Sequence, residues 1–387
     1  AARQAAHDRE TIHAGFWGRV TRIVMGRPVL AMVLAIGLLG AMAVPYFDLN
    51  TGFAGVESLP ESEAKEGFLI LQEKFSAGRL APVEIVVDGS KDKAQPGIDR
   101  LLTALTPEQG FAHADEAQWN EAGDLALIRA TLAMAPNDPA AYDLVVTLRK
   151  QIVPAAFEGV PASVYVTGET AFNKDFFDLV DTWTPRVFAF VLGLSFVLLM
   201  IVFRSIVVPL KAILMNLLSV GAAYGLMVLV FQKGYGAGFL GFQKTPTVEA
   251  WIPIFLFCVL FGLSMDYHVF LLSRIREHYD QTLRSRESVA VGLQATARII
   301  TGAALIMVAV FTGFAAGRLV MLQQVGFGLA VAVFLDATVV RSVLVPSAMA
   351  LLGRVNWYLP RWLHWLPDLR VEGAPVVALT APDLAGD

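Results

Sequence analysis

The chain has 387 residues, 56% of them hydrophobic, with one cysteine, a mean hydropathy of +0.58 and a formal net charge of −4. Charged residues make up only 17%, too few to cover the surface of a soluble protein of this size. The composition excludes a disordered chain, a disulfide scaffold and most soluble globular enzymes, yet 34 acidic and 30 basic residues are too many for membrane spans alone.

In chain order, a polar, basic segment (1–27) leads into the first uncharged apolar run, 28–47. That run is long enough to cross a bilayer, and it lies too far along the chain for a signal peptide. Residues 48–184 form a different region. They carry 22 acidic and 10 basic residues, a net of −12, while the rest of the chain carries 12 acidic and 20 basic, a net of +8. The near-neutral total thus combines an acidic soluble domain with a basic membrane part.

Within that domain, residues 82–88 alternate as a strand, and 96–105 read as a short helix. Residues 110–119 and 124–134 read as a strand pair around the turn Asn120-Glu-Ala-Gly123. A helix over 137–153 is opened by Asn137 or Asp138 as cap, with Pro139 in its first turn. A last strand covers 162–168, and a helix over 169–181 leads into the second span. The order β-α-β-β-α-β is the ferredoxin-like split unit.

Five more apolar runs lie in residues 185–353: 187–203, 212–232, 251–273 interrupted by Asp266, 299–317, and 319–353 interrupted by Asp336 and Arg341. The single Cys258 falls inside one of them. Residues 354–387 form a tail. The predicted fold is an α-helical polytopic membrane protein of six transmembrane helices with an α+β, ferredoxin-like extracytoplasmic domain.

Short loops set the orientation. Arg3, Arg9, Arg19, Arg22, Arg27, Arg204, Lys211, Arg274, Arg276, Arg284, Arg286, Arg298, Arg354, Arg361 and Arg370 fall on one side, against Lys233, Lys244 and Arg318 on the other. Both termini are therefore expected in the cytoplasm and the acidic domain outside. Trp183, Trp251, Trp357, Trp362 and Trp365 fall near span ends, as interfacial aromatics do.

The most informative segment is Phe261-Gly-Leu-Ser-Met-Asp-Tyr-His-Val-Phe-Leu-Leu-Ser-Arg274. A charge such as Asp266 inside a span costs about 2.5–3.5 kcal/mol on insertion scales and usually faces a bundle interior or an ion pathway. This segment resembles the MMPL (mycobacterial membrane protein large) branch of the RND (resistance-nodulation-division) transporters. Further matching stretches are Phe16-Trp-Gly-Arg-Val to Arg27-Pro28, Val166-Thr-Gly-Glu-Thr-Ala171, and Leu335-Asp-Ala-Thr-Val-Val-Arg-Ser-Val-Leu-Val-Pro346. One span, an outer porter domain and five more spans make one RND half.

The resemblance implies a secondary transporter of the bacterial plasma (inner) membrane, driven by protons and exporting lipids or hydrophobic small molecules. It implies that Asp266 and Tyr267 relay protons, with Phe270 lining the same region. Transporters of this type carry two halves. This chain holds one, opens at Ala1 on a linker-like stretch, and reads as a C-terminal half. Its partner would be the N-terminal half or a second copy.

Physical reasoning adds a second tier. At about 1.5 Å per residue, Asp336 lies at nearly the same depth as Asp266, so two acids at one level could pass a proton. Asp336 and Arg341 are five apart, about 140° around an α-helix, and Arg341 is near enough to the interface to snorkel. Asn216, Ser264 and Thr301 are candidates to line the relay, with Ser219 and Tyr224 beside them. His268, at i+2 from Asp266, points to another face and reads as a structural or interfacial residue. Gly221, Gly225, Gly302, Gly313, Gly326 and Gly328 read as sites of close helix packing.

The sequence carries no phosphate-binding Gly-Lys-Ser/Thr loop, no metal-ligand spacing and no Gly-x-Ser-x-Gly elbow. No cofactor, metal or nucleic acid is expected, and an enzyme reading has little support. The alternatives are a non-transporting, sterol-sensing-like lipid-binding scaffold, or an auxiliary of polypeptide movement like the SecD/SecF relatives.

Overall fold

The computed structural model describes residues 16–53, 55–75 and 77–366. Arg3, Arg9 and Arg370, counted above toward orientation, lie outside them. Among the described residues six helices are long and apolar enough to cross a membrane: Pro28–Asp48, Glu169–Phe203, Val207–Gln232, Ile252–Thr282, Ser285–Ala315 and Val320–Trp357. They coincide with the six apolar runs and are named here the first to sixth spans. Pro28 opens the first at its N-terminal turn, where a missing N–H costs nothing.

The third and sixth spans form the centre of the bundle, with 61% of their apolar windows buried, against 11–17% for the first, second and fifth. Close approach is enforced by glycine at particular points. A Cβ on Gly225 would lie 1.9 Å from the Met42 carbonyl oxygen, and one on Gly326 would lie 2.4 Å from the Ala315 nitrogen. The packing expectation fails at Gly302 and Gly313. A Cβ there would meet nothing within 4 Å, because those faces of the fifth span have no neighbour among the described residues.

The second span is one continuous helix of 35 residues that starts under the soluble domain and contains Pro185. The domain itself holds strands β2 (Val83–Asp88), β3 (Phe111–Ala114), β4 (Gln118–Trp119), β5 (Leu125–Leu132) and β6 (Ser163–Thr167). A short β1 (Thr51–Gly52) precedes them, and β7 (Val248–Glu249) pairs with it in parallel, linking the end of the first span to the start of the fourth. The domain sheet has the order β3-β5-β2-β6 with β4 on β5, and every pair is antiparallel. That is the ferredoxin-like arrangement expected from the element order.

Val83, Ile85 and Val87 alternate inward along β2 and are fully buried, as period-two patterning requires. Helix α1 (Lys91–Ala104) covers them with Ile98 and Leu101, and α2 (Pro139–Thr147) adds Leu144 and Val145. Of the two cap candidates, Asp138 is the cap: its carboxylate accepts from the Ala140 N–H at 2.9 Å. Asn137 instead accepts from Asn173 Nδ2 at 3.1 Å, on the second-span helix. Arg149 pairs with Asp175 and donates to the Val166 carbonyl at 2.7 Å, pinning that helix to β6.

Candidate functional site

The sixth span changes pitch in its middle. It is α-helical to Leu335, π-helical over Asp336–Leu344, and α-helical again from Val345. Pro346 lacks the N–H that an α-turn would direct at Ser342, and the wider turn absorbs that loss. In π geometry the ladder runs i→i+5, as in the bond from Val345 N–H to the Val340 carbonyl. Residues five apart therefore become neighbours.

The pitch change corrects the α-helical expectation for Asp336 and Arg341. Arg341 Nη2 and Nε donate to Asp336 Oδ2 at 2.7 and 3.0 Å. Arg341 does not snorkel: it is 2% exposed. Its Nη2 also reaches the Ser264 carbonyl at 2.9 Å and the Ser264 hydroxyl at 3.3 Å, on the fourth span. The guanidinium lies 4.7 Å from the centre of the Tyr267 ring, a cation–π arrangement in a desolvated setting.

Ser264 Oγ donates toward Asn216 Oδ1 on the third span at 2.6 Å and toward Asp336 Oδ2 at 3.2 Å. One hydroxyl proton thus has two acceptors in reach. A cavity of about 20 Å³, room for about one water, is lined by Asn216, Ser219, Ser264, Tyr267, Asp336 and Arg341. Asp336 Oδ1, Arg341 Nη1 and Ser219 Oγ are buried with no hydrogen-bond partner among the described residues. The third, fourth and sixth spans thus meet in one polar knot with hydrogen-bonding capacity left over. Such a knot can exchange a proton between a carboxylate, a hydroxyl and a water.

Residues 66–367, which include every member of this knot, match the MMPL family. The chain belongs to the MMPL family. It is 38% identical over 383 residues to a protein of Mycolicibacterium smegmatis named mycolic acid-containing lipids exporter MmpL11, covering 97% of this chain and 40% of that protein. It is 38% identical over 361 residues to heme uptake protein MmpL11 of Mycobacterium tuberculosis, covering 92% and 37% respectively. It is 32% identical over 383 residues to trehalose monomycolate exporter MmpL3 of Mycobacterium tuberculosis, covering 94% and 39%. The chain therefore spans about 40% of the length of these MMPL relatives.

In this MMPL chain the residues singled out by sequence divide into two groups. Tyr267, Asp336, Asn216 and Ser264 come together in the knot, and Ser219 lines its cavity. Asp266 does not join them. It is on the exposed face of the fourth span, although an intramembrane acid was expected to face the bundle interior. Phe270 is half-buried, beside Arg274, Glu277 and His278 in a groove between the fourth and fifth spans. Thr301 is exposed and returns its hydroxyl to the Ala297 carbonyl at 2.7 Å. Tyr224 donates to the Pro253 carbonyl, outside the knot.

Two members of the polar interior were missed. Lys211, counted from sequence as a loop charge, is inside the third span and 8% exposed. His268 is not interfacial but 2% exposed, with Nδ1 on the Ser264 carbonyl. The five-residue spacing of Asp336 and Arg341 followed by Pro346 was a readable sign of π geometry. Nothing local marks Lys211, because its burial depends on which segment folds over it.

Proposed function

We propose that this chain is one half of a proton-motive-force-driven MMPL transporter that exports lipids or hydrophobic small molecules. It lies in the bacterial plasma membrane, with both termini cytoplasmic and the ferredoxin-like domain outside. Asp266 and Tyr267 relay protons, and the Asp336–Arg341–Ser264–Asn216 knot sets the charge state behind Tyr267.

The observation that carries this reading is the exposed carboxylate of Asp266 on a membrane-spanning helix. Facing hydrocarbon it would cost about 2.5–3.5 kcal/mol. That cost is avoided if a second RND half, or a second copy, covers the face and supplies partners. Repeat-built transporters place their ion sites at such interfaces. Tyr267, adjacent in sequence, lays its ring against Arg341 of the knot and turns its hydroxyl to Met307 Sδ at 3.6 Å. The relatives' names share a hydrophobic cargo, lipid in two and heme in one.

Each proton entering down the gradient supplies about 2.3 kcal/mol per 100 mV. In the full-length protein reconstituted in vesicles, Asp266→Asn is expected to abolish gradient-driven movement of a fluorescent lipid at unchanged expression. Wild-type rates in that variant would overturn the relay. Collapse of the gradient with an ionophore should stop the wild type.

A further inference from the structure

The Asn216–Ser264 hydrogen bond fixes the register of the third and fourth spans, which run in opposite directions. From that rung, His268 lies four residues further along the fourth span and Lys211 five residues back along the third. At 1.5 Å per residue both sit about 6–8 Å closer to the end of the bundle away from the soluble domain. Both are buried, at 2% and 8% exposure.

His268 Nδ1 contacts the Ser264 carbonyl at 3.1 Å and the Ser264 hydroxyl at 3.4 Å. A carbonyl can only accept, so Nδ1 carries the proton of the neutral ring and Nε2 is a bare acceptor. Nε2 is buried and has no hydrogen-bond partner among the described residues. Lys211 has the complementary surplus. Its Nζ donates to Asn356 Oδ1 at 3.1 Å, and no carboxylate among the described residues forms an ion pair with it. An ammonium has three donors, so two are left over.

The charges acting on the His268 ring are those of Arg341, Asp336 and Lys211. Asn356 in turn donates to the Met349 and Gly353 carbonyls at 2.9 and 2.8 Å, and its own carbonyl accepts from Ser205 Oγ at 2.6 Å. These groups hold the Lys211 ammonium against Asn356 at the end of the sixth span.

We propose that His268 and Lys211 form the inward arm of the proton path, carrying protons from the Ser264 knot to the cytoplasmic end of the bundle. The proposal rests on the proton-driven reading above. In the step, a ring protonated at Nε2 takes a second proton at Nδ1 from the Ser264 hydroxyl, which regains one from a protonated Asp336 carboxyl. It then gives the Nε2 proton to a neutral Lys211 amine. One proton has moved, the ring is left protonated at Nδ1, the tautomer that the Ser264 carbonyl contact favours, and Lys211 becomes the ammonium. Lys211 releases that proton to cytoplasmic water, and transfer of the ring proton from Nδ1 back to Nε2 resets the cycle.

The test uses the full-length protein in vesicles with an internal pH dye. His268→Gln keeps an amide donor for the Ser264 carbonyl but cannot carry a proton. It and Lys211→Met are each expected to lower gradient-driven proton flux by about a hundredfold, the low end for a lost proton-transfer group. Lys211→His should restore part of the flux, with its dependence on cytoplasmic-side pH moved toward acid. Flux within twofold of wild type and an unchanged pH profile in His268→Gln would overturn the proposal.

If the wild type moves cargo without a gradient, the transporter reading fails and not this arm alone. Where a variant misfolds, selective 15N-histidine labelling of the wild type reads the same step. The His268 Nε2 signal should gain a protonated component when a proton gradient is imposed across the vesicle. A signal of the bare type alone, with and without the gradient, overturns the proposal.

Discussion

Arg341→Met is the most direct probe of how the knot is held. The substitution keeps an unbranched apolar stem but removes a buried guanidinium making four hydrogen bonds, two to Asp336 and two to Ser264. Asp336, with its side chain 14% exposed, is left as a carboxylate with the Ser264 hydroxyl as its remaining donor among the described residues. Four bonds to a charged group would sum to an unrealistic total. The relevant magnitude is the cost of leaving a buried charge uncompensated, about 3–5 kcal/mol. The double variant Asp336→Asn with Arg341→Met buries no charge, so it should recover about 2–3 kcal/mol of that loss, the upper range for residues in contact. Thermal unfolding of the full-length protein in detergent, run as a double-mutant cycle, measures both. A single variant within about 0.5 kcal/mol of wild type, or a double variant as unstable as the sum of the singles, would refute an ion pair that holds the third, fourth and sixth spans together.

Gly225→Leu should separate the first and third spans, since even a Cβ there would lie 1.9 Å from the Met42 carbonyl oxygen. Loss of the folded band in size-exclusion chromatography is expected, while Gly313→Leu, with nothing within 4 Å of its Cβ, should behave as wild type. In the soluble domain, burial pushes the Tyr142 hydroxyl from 10.0 up to about 12, with Glu169 and Asp138 adding to the rise and a hydrogen bond to Asn173 opposing it. The raised value means the folded state favours the neutral phenol. That stability is complete below pH 10 and is lost as pH rises from 10.0 to about 12. Tyr142→Phe should remove this alkaline component of the unfolding curve, and an unchanged curve would count against it.

Much of the fold was legible because its signals are local. Apolar runs without charges can only be satisfied in a bilayer as helices, and all six were readable. The alternation along 82–88 and the Asp138-Pro139 pair placed a strand and a helix start for similarly local reasons. The site was legible by residue type but not by partner. Asp266, Asp336 and Tyr267 stood out because charged and polar groups inside spans are expensive wherever they point. The α-helical angle then separated Asp336 from Arg341, because nothing in a wheel of 3.6 residues per turn anticipates a π segment.

The sequence by itself determined the number of spans, the composition of each layer, the acidic domain set in a basic membrane frame, and the positions of the costly residues. Tertiary structure alone decided which way those residues face. It turned Asp266 to an exposed surface and drew Arg341, His268 and Lys211 into the interior. The reason is physical. Whether a charge lies in a span depends on its neighbours in the chain. Its partners depend on helix pitch and register, and these are fixed by packing between segments such as Asn216 and Ser264, 48 residues apart.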